Sequence, residues 1–106
     1  MKILGIGVDV VNNRRIQPLI KNQNFIKRTF GPNELKLSKN KVNRTNFFAK
    51  RFAAKEAVMK SLGKGWRQIN WKDIEITGGG KPEVILYGKA KELAKQMNIF
   101  NIHISL

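Results

Sequence analysis

The sequence has no cysteine, which excludes a disulfide scaffold and a cysteine-ligated zinc site and fits a reducing compartment. Histidine is nearly as scarce. With only His103 present, any bound metal must be held by oxygen donors or by that one ring. No apolar run is long enough for a membrane span. The opening stretch from Ile3 to Val11 is interrupted by Asp9, is followed at once by Arg14 and Arg15, and lacks the basic-first layout of a secretory signal. A cytoplasmic protein, without a membrane partner, is the resulting expectation. Acidic residues are also few: 7 Asp and Glu stand against 21 Lys and Arg, a formal net charge of +14. Such a balance favours nucleic acid, an anionic surface, an acidic protein or a phosphorylated ligand, and does not choose among them. A length of 106 residues with 42% hydrophobic residues supports one modest core and leaves no room for a second stable domain.

The apolar residues that are present fall into readable segments. Ile3, Leu4, Ile6, Val8, Val10 and Val11 form a β-branched opening strand, in which Asp9 is a carboxylate in need of a partner. Ile16, Leu19 and Ile20 share one side of a short helix that contains Pro18, with Arg14, Arg15 and Lys21 left to water as a basic docking face. Gly31-Pro32-Asn33-Glu34 reads as a turn into a second short helix, and Lys36 to Arg44 as a basic loop. The clearest helix begins at Thr45 or Asn46 and runs to Leu62, with Phe48, Ala49, Phe52, Ala53 and Ala57 as its apolar stripe and Gly63 as its stop. Ile74 and Ile76, then Val84 and Leu86, predict a hairpin across the Gly78-Gly79-Gly80 turn. A helix from about Gly88 to Met97 and a strand through Ile102, Ile104 and Leu106 complete the order β, helices, β, β, α, β.

That order predicts a small α+β architecture, ferredoxin-like, with helices covering an antiparallel sheet. The last strand stops at Leu106 with nothing after it, so a closing strand is expected to be missing and residues 1–106 to form a single domain that is incomplete at its C-terminus.

Several groups admit both a plain and a chemical reading. Glu56 and Lys60 lie four apart on one helix face, and serve either as a stabilising surface pair or as a metal-binding carboxylate beside an anion-holding ammonium. Ser61-Leu62-Gly63-Lys64-Gly65 is a helix C-cap and turn, or a phosphate-binding turn without the full P-loop spacing. Gly78 to Pro82 is a flexible hairpin turn, or a place where backbone approaches a ligand. His103 faces solvent, a subunit interface or an active site. Phe25, Phe30, Phe47, Phe48 and Phe52 read as core residues. No zinc-finger, RNA-recognition or helix-turn-helix signature accompanies the basic residues, so a small basic nucleic-acid-binding module stands only as the alternative.

The chain resembles the holo-acyl-carrier-protein synthases, small bacterial phosphopantetheinyl transferases. The resemblance rests on Gly5-Ile6-Gly7-Val8-Asp9 followed by Arg15-Ile16, and above all on Phe48-Ala49-Lys50-Arg51-Phe52-Ala53-Ala54-Lys55-Glu56-Ala57 with Lys60, Gly63 and Gly65. Gly80-Lys81-Pro82 and His103-Ile104-Ser105 extend it over almost the whole chain.

The resemblance implies magnesium-dependent transfer of 4′-phosphopantetheine from coenzyme A to a serine of an acidic apo-acyl-carrier protein, with release of adenosine 3′,5′-bisphosphate. It makes Asp9 and Glu56 the expected magnesium ligands and Lys60 the group that steadies the phosphate or the departing fragment. The serine proton would pass to a carboxylate or to a metal-associated water. Lys60, Gly63, Gly65, Lys81, Pro82 and His103 are the expected coenzyme-facing residues, and Arg14, Arg15 and Lys21 the expected carrier-docking residues. A homotrimer with coenzyme A at its subunit boundaries is implied as well. Two features depart from the family pattern: the Gly78 to Lys81 turn is shorter than usual, and the stretch that normally follows the His103 strand is absent.

Overall fold

The computed structural model of the chain describes residues 2–7, 13–63, 68–78 and 81–106, with Asn13 described by its backbone alone. Asp9, Gly65 and the Gly79-Gly80 centre of the hairpin turn lie outside the described residues.

Strand β1 spans Lys2–Gly7 and is followed by four helices: α1 Asn13–Ile20, α2 Gln23–Thr29, α3 Pro32–Ser38 and α4 Arg44–Ser61. A 3-10 turn over Trp71–Asp73 leads into β2 Ile74–Thr77, then β3 Glu83–Leu86, α5 Gly88–Gln96 and β4 Ile99–Ser105. The order expected from the hydrophobic periodicity is therefore present.

The strands form two pairs. β2 and β3 are antiparallel, with Ile74 opposite Leu86 and Thr77 opposite Glu83, as the hairpin reading requires. β1 and β4 are parallel, with Leu4 opposite Ile102 and Gly7 opposite Ser105. The expected antiparallel pairing thus holds for β2 and β3, while β1 and β4 run parallel. An alternating apolar pattern states which face of a strand is buried but carries no strand direction, and the helical crossover between β1 and β4 permits the parallel sense.

Local capping explains where the helices begin. The Asn22 carboxamide oxygen accepts from the backbone N–H groups of Asn24 (2.9 Å) and Phe25 (3.3 Å), which starts α2, a helix the sequence reading did not separate. Asn43 accepts from the Asn46 N–H at 2.9 Å and sets the start of α4 at Arg44. The predicted loop over Lys36 to Arg44 is shorter than expected, because α3 continues to Ser38. The Ser38 hydroxyl donates to the Leu35 carbonyl at 2.7 Å, and the Glu34 carboxylate accepts from the Gly31 N–H at 2.9 Å. Gly63, at φ +78, adopts the left-handed conformation that ends α4, as predicted.

Two apolar clusters meet along α4. Its first half places Phe47, Phe48 and Ala49 with Ile16, Phe25, Ile26 and Phe30. Its second half places Ala54, Val58 and Met59 against Ile74, Ile76, Ala90, Ile102 and Ile104 from the strands and α5. Phe25, Phe30, Phe47 and Phe48 are buried and Phe52 packs against them, as expected; the Phe30 and Phe48 rings meet at a tilt, with centroids 4.6 Å apart. No helix among the described residues is long and apolar enough to cross a membrane.

Candidate active site

Helix α4 can display Glu56 to solvent because its neighbour Lys55 is anchored in the interior. The Lys55 ammonium donates to the carbonyls of Trp71 (3.0 Å) and Ile74, and it meets Glu34 Oε1 at 2.7 Å with both side chains fully buried. Glu34 Oε2 accepts from the Ile76 N–H at 2.9 Å. Burial pushes the Glu34 carboxyl up and the Lys55 ammonium down, each opposed by the charge of the other. Burial also lowers Arg51, whose Nε–H donates to the Ile76 carbonyl at 3.3 Å while its guanidinium lies 4.0 Å from the Phe47 ring centroid. Glu75 completes this interior network. Burial raises its carboxyl, but hydrogen bonds from the Asn33 side chain and backbone and from the Tyr87 hydroxyl outweigh burial and hold it below the usual carboxylate range. The network ties α3, α4 and β2 together, and so fixes the direction in which the outer face of α4 points.

On that outer face stand Glu56, half-buried, and Lys60, exposed. The surface pair expected from their spacing is not the one that forms: Glu56 Oε1 meets Arg15 Nη2 of α1 at 3.6 Å. The Arg15 guanidinium also lies over the Phe52 ring, 5.7 Å from its centroid, and that ring packs against Trp71 at 4.9 Å. Tertiary packing of α1 against α4 thus supplies a nearer cation than the helix itself does. Arg14, Arg15 and Lys21 are all exposed, as a docking face requires. Asp9 lies outside the described residues; β1, which precedes it, and α1, which follows it, both contact α4.

The expected coenzyme-facing residues divide into two groups. Lys60 and Gly63 stand at the end of α4. Lys81, Pro82 and His103 come together around a groove of about 270 Å³ between β3 and β4, which none of Glu56, Lys60 and Gly63 lines. His103 is exposed there, with Nε2 3.5 Å from the Asn101 carboxamide nitrogen.

A second cleft, of about 380 Å³, escaped the sequence reading as a unit. Lys41, Asn43, Asn46, Lys50 and Arg51 line it, together with Gly78, Pro82 and Leu106. Its cationic character was visible in the run from Lys36 to Arg44 and in Lys50-Arg51, but only the fold brings the loop before α4 against the hairpin turn. Lys41 and Arg44 lie 5.9 Å and 5.5 Å from the Phe47 and Phe48 ring centroids, so the buried aromatic pair supports the cations around the cleft. Pro82 borders both cleft and groove.

This chemistry combines a hard oxygen donor on a fixed helix, an adjoining ammonium and two concave surfaces bearing cations. Such a set suits a polyanionic ligand and charge-stabilised transfer of a phosphorus-containing group.

Comparisons with known proteins agree. A family model described as the 4′-phosphopantetheinyl transferase superfamily matches residues 5–102. A holo-[acyl-carrier-protein] synthase of Clostridium kluyveri is 50% identical over 107 residues, covering 98% of this chain and 80% of the relative. The crystal structure of holo-[acyl-carrier-protein] synthase from Neisseria meningitidis superposes with a TM-score of 0.70 at 34% identity, covering 88% of this chain and 78% of that one. The acyl carrier protein synthase of Plasmodium yoelii, solved with ADP bound, superposes with a TM-score of 0.65 at 40% identity, covering 84% and 72%.

Proposed function

The chain belongs to the 4′-phosphopantetheinyl transferase superfamily, among the holo-acyl-carrier-protein synthases, and from that premise we propose how its own residues carry the family reaction. The reaction is magnesium-dependent transfer of 4′-phosphopantetheine from coenzyme A to a serine of apo-acyl-carrier protein. The serine oxygen forms a bond to the phosphorus nearer the pantetheine arm. The bond from that phosphorus to the bridging pyrophosphate oxygen breaks, and adenosine 3′,5′-bisphosphate leaves with the electron pair.

Glu56 and Asp9 are the residues that would hold magnesium. Both are hard carboxylate donors, and Glu56 presents its oxygens at the surface of α4. Magnesium takes one or two carboxylates and completes its shell with water and substrate phosphates, so two such donors suffice. When bound, the ion neutralises pyrophosphate charge and offsets the charge that develops during transfer. Lys60, one turn beyond Glu56, holds the phosphate or the departing fragment as a mobile point charge. The serine proton goes to a carboxylate or to a water at the site.

Gly63 and Gly65 let backbone approach the coenzyme after α4, while Lys81, Pro82 and His103 face it from the β3–β4 groove. The basic cleft around Lys41, Lys50 and Arg51 offers further charge for its phosphates, and the ADP bound by the Plasmodium relative has the adenosine and pyrophosphate parts of coenzyme A. In the homotrimer that the family resemblance implies, neighbouring copies would complete one coenzyme site from the α4 end and the groove. Arg14, Arg15 and Lys21 steer and dock the acidic carrier.

The observation that carries this reading is Glu56 held outward on α4 by the buried anchoring of Lys55. Intact mass spectrometry of a purified apo-acyl-carrier protein incubated with the chain, coenzyme A and magnesium tests it. The carrier gains about 340 Da, the mass of one phosphopantetheinyl group on a nucleophilic serine, and the gain is lost without magnesium. An unmodified but competent carrier would count against the assignment.

A further inference from the structure

Arg15 stands where two uses of one guanidinium compete. It belongs to α1, the helix that faces the carrier in the reading above, and 60% of its side chain is exposed. Yet it reaches back to Glu56, whose own side chain is 34% exposed, at 3.6 Å. A pair open to water at both ends is held only lightly. Its base is firmer: Phe52 lies beneath the guanidinium and packs on Trp71, so Arg15 keeps an aromatic seat whichever carboxylate it meets.

A carboxylate oxygen engaged by a guanidinium is less available to a hard cation, and a divalent cation on that carboxylate repels the guanidinium. An arginine released from Glu56 presents its planar fork to a carboxylate on another protein. We infer that Arg15 is exchanged between Glu56 and the acidic carrier, and that a divalent cation on Glu56 drives the exchange, so that metal loading and carrier docking favour one another. The inference rests on Glu56 being a metal ligand. Linkage then requires the cation to tighten carrier binding by the same factor as the carrier tightens cation binding.

Manganese serves as the cation probe, with free Mn2+ read by electron paramagnetic resonance on the full chain. Arg15→Gln tightens Mn2+ binding by about two- to fivefold, the range a solvent-exposed ion pair supports. Lys21→Gln, which removes an equal charge beyond the end of the same helix, produces a smaller change. Calorimetry with apo-acyl-carrier protein shows Mn2+ tightening carrier binding to the unaltered chain, and that dependence disappears in Arg15→Gln. Mn2+ affinity that is unchanged or weakened in Arg15→Gln, or shifted equally in Lys21→Gln, overturns the exchange while leaving Glu56 as a ligand. Mn2+ binding indifferent to Glu56→Gln overturns the ligand reading itself, and the exchange with it.

Discussion

Lys55 Nζ lies 2.7 Å from Glu34 Oε1, and neither side chain has any solvent exposure. Removing one partner leaves the other in the interior without its counter-charge. Lys55→Met therefore destabilises the fold by about 3–5 kcal/mol, and Glu34→Leu combined with Lys55→Met recovers a large part of that loss. Urea unfolding of the single and double variants measures both. A single variant as stable as the unaltered chain would remove the pair from its anchoring role.

Glu56→Gln separates chemistry from folding. The side chain is half-exposed and its partner, Arg15, is more exposed still, so unfolding free energy stays within about 0.5 kcal/mol of the unaltered chain. Carrier modification falls by about 100-fold or more as a carboxylate for the cation is lost. Time-resolved intact mass of the carrier reads the rate, and undiminished turnover would remove Glu56 from the active site.

Lys41→Ala with Lys50→Ala tests the cleft beside α4. Both residues line it and neither stands on the outer face with Glu56 and Lys60. The double variant raises the KM for coenzyme A about tenfold while kcat holds, and the penalty shrinks as salt is added, because exposed charges are screened. An unchanged KM at low salt would assign the coenzyme phosphates elsewhere.

Glu75 gives the fold a directional response to acid. Its folded carboxyl lies below the ordinary value of 4.5, so the stability it contributes is complete above that value and is lost as pH falls through the lower, folded one. Glu34, pushed up by burial, acts in the opposite sense: its ionised form is a cost that acid relieves. The difference in unfolding free energy between the unaltered chain and Glu75→Gln isolates the Glu75 contribution, since Glu34 is common to both. That difference is constant near neutrality and shrinks below about pH 4.5. A difference that grew toward acid would reverse the sign assigned to Glu75.

The helices and hairpin were legible because their apolar residues repeat at the spacing that burial on one face demands. Helix α4 was readable from Phe48, Phe52 and the alanines between them, and its stop from Gly63. The buried charges were not. Lys55 and Glu34 look like surface residues in a basic sequence, and only tertiary contact between α3, α4 and β2 makes them partners. The same holds for Glu56, whose i+4 neighbour Lys60 is outcompeted by Arg15 from another helix. Helix α2 had a readable signal in Asn22, a strong N-cap residue, but too few apolar positions to separate it from α1. Asp9 and Glu56 could be joined as one expected site only through the family motif, since no spacing rule brings together two carboxylates so far apart in sequence.

The parallel pairing of β1 with β4 bears on how the chain reaches its fold during synthesis. Lys2–Gly7 emerges early, whereas its partner Ile99–Ser105 is made only after every helix between them. Translation proceeds at about 5–20 residues per second, so β1 presents an unpaired edge for seconds before its ladder can close. Because that closure joins segments far apart in sequence, it belongs to the slow class of folding events. Until that closure, the Lys2–Gly7 segment stays open to aberrant strand addition, and chaperone capture of β1 would matter in that interval.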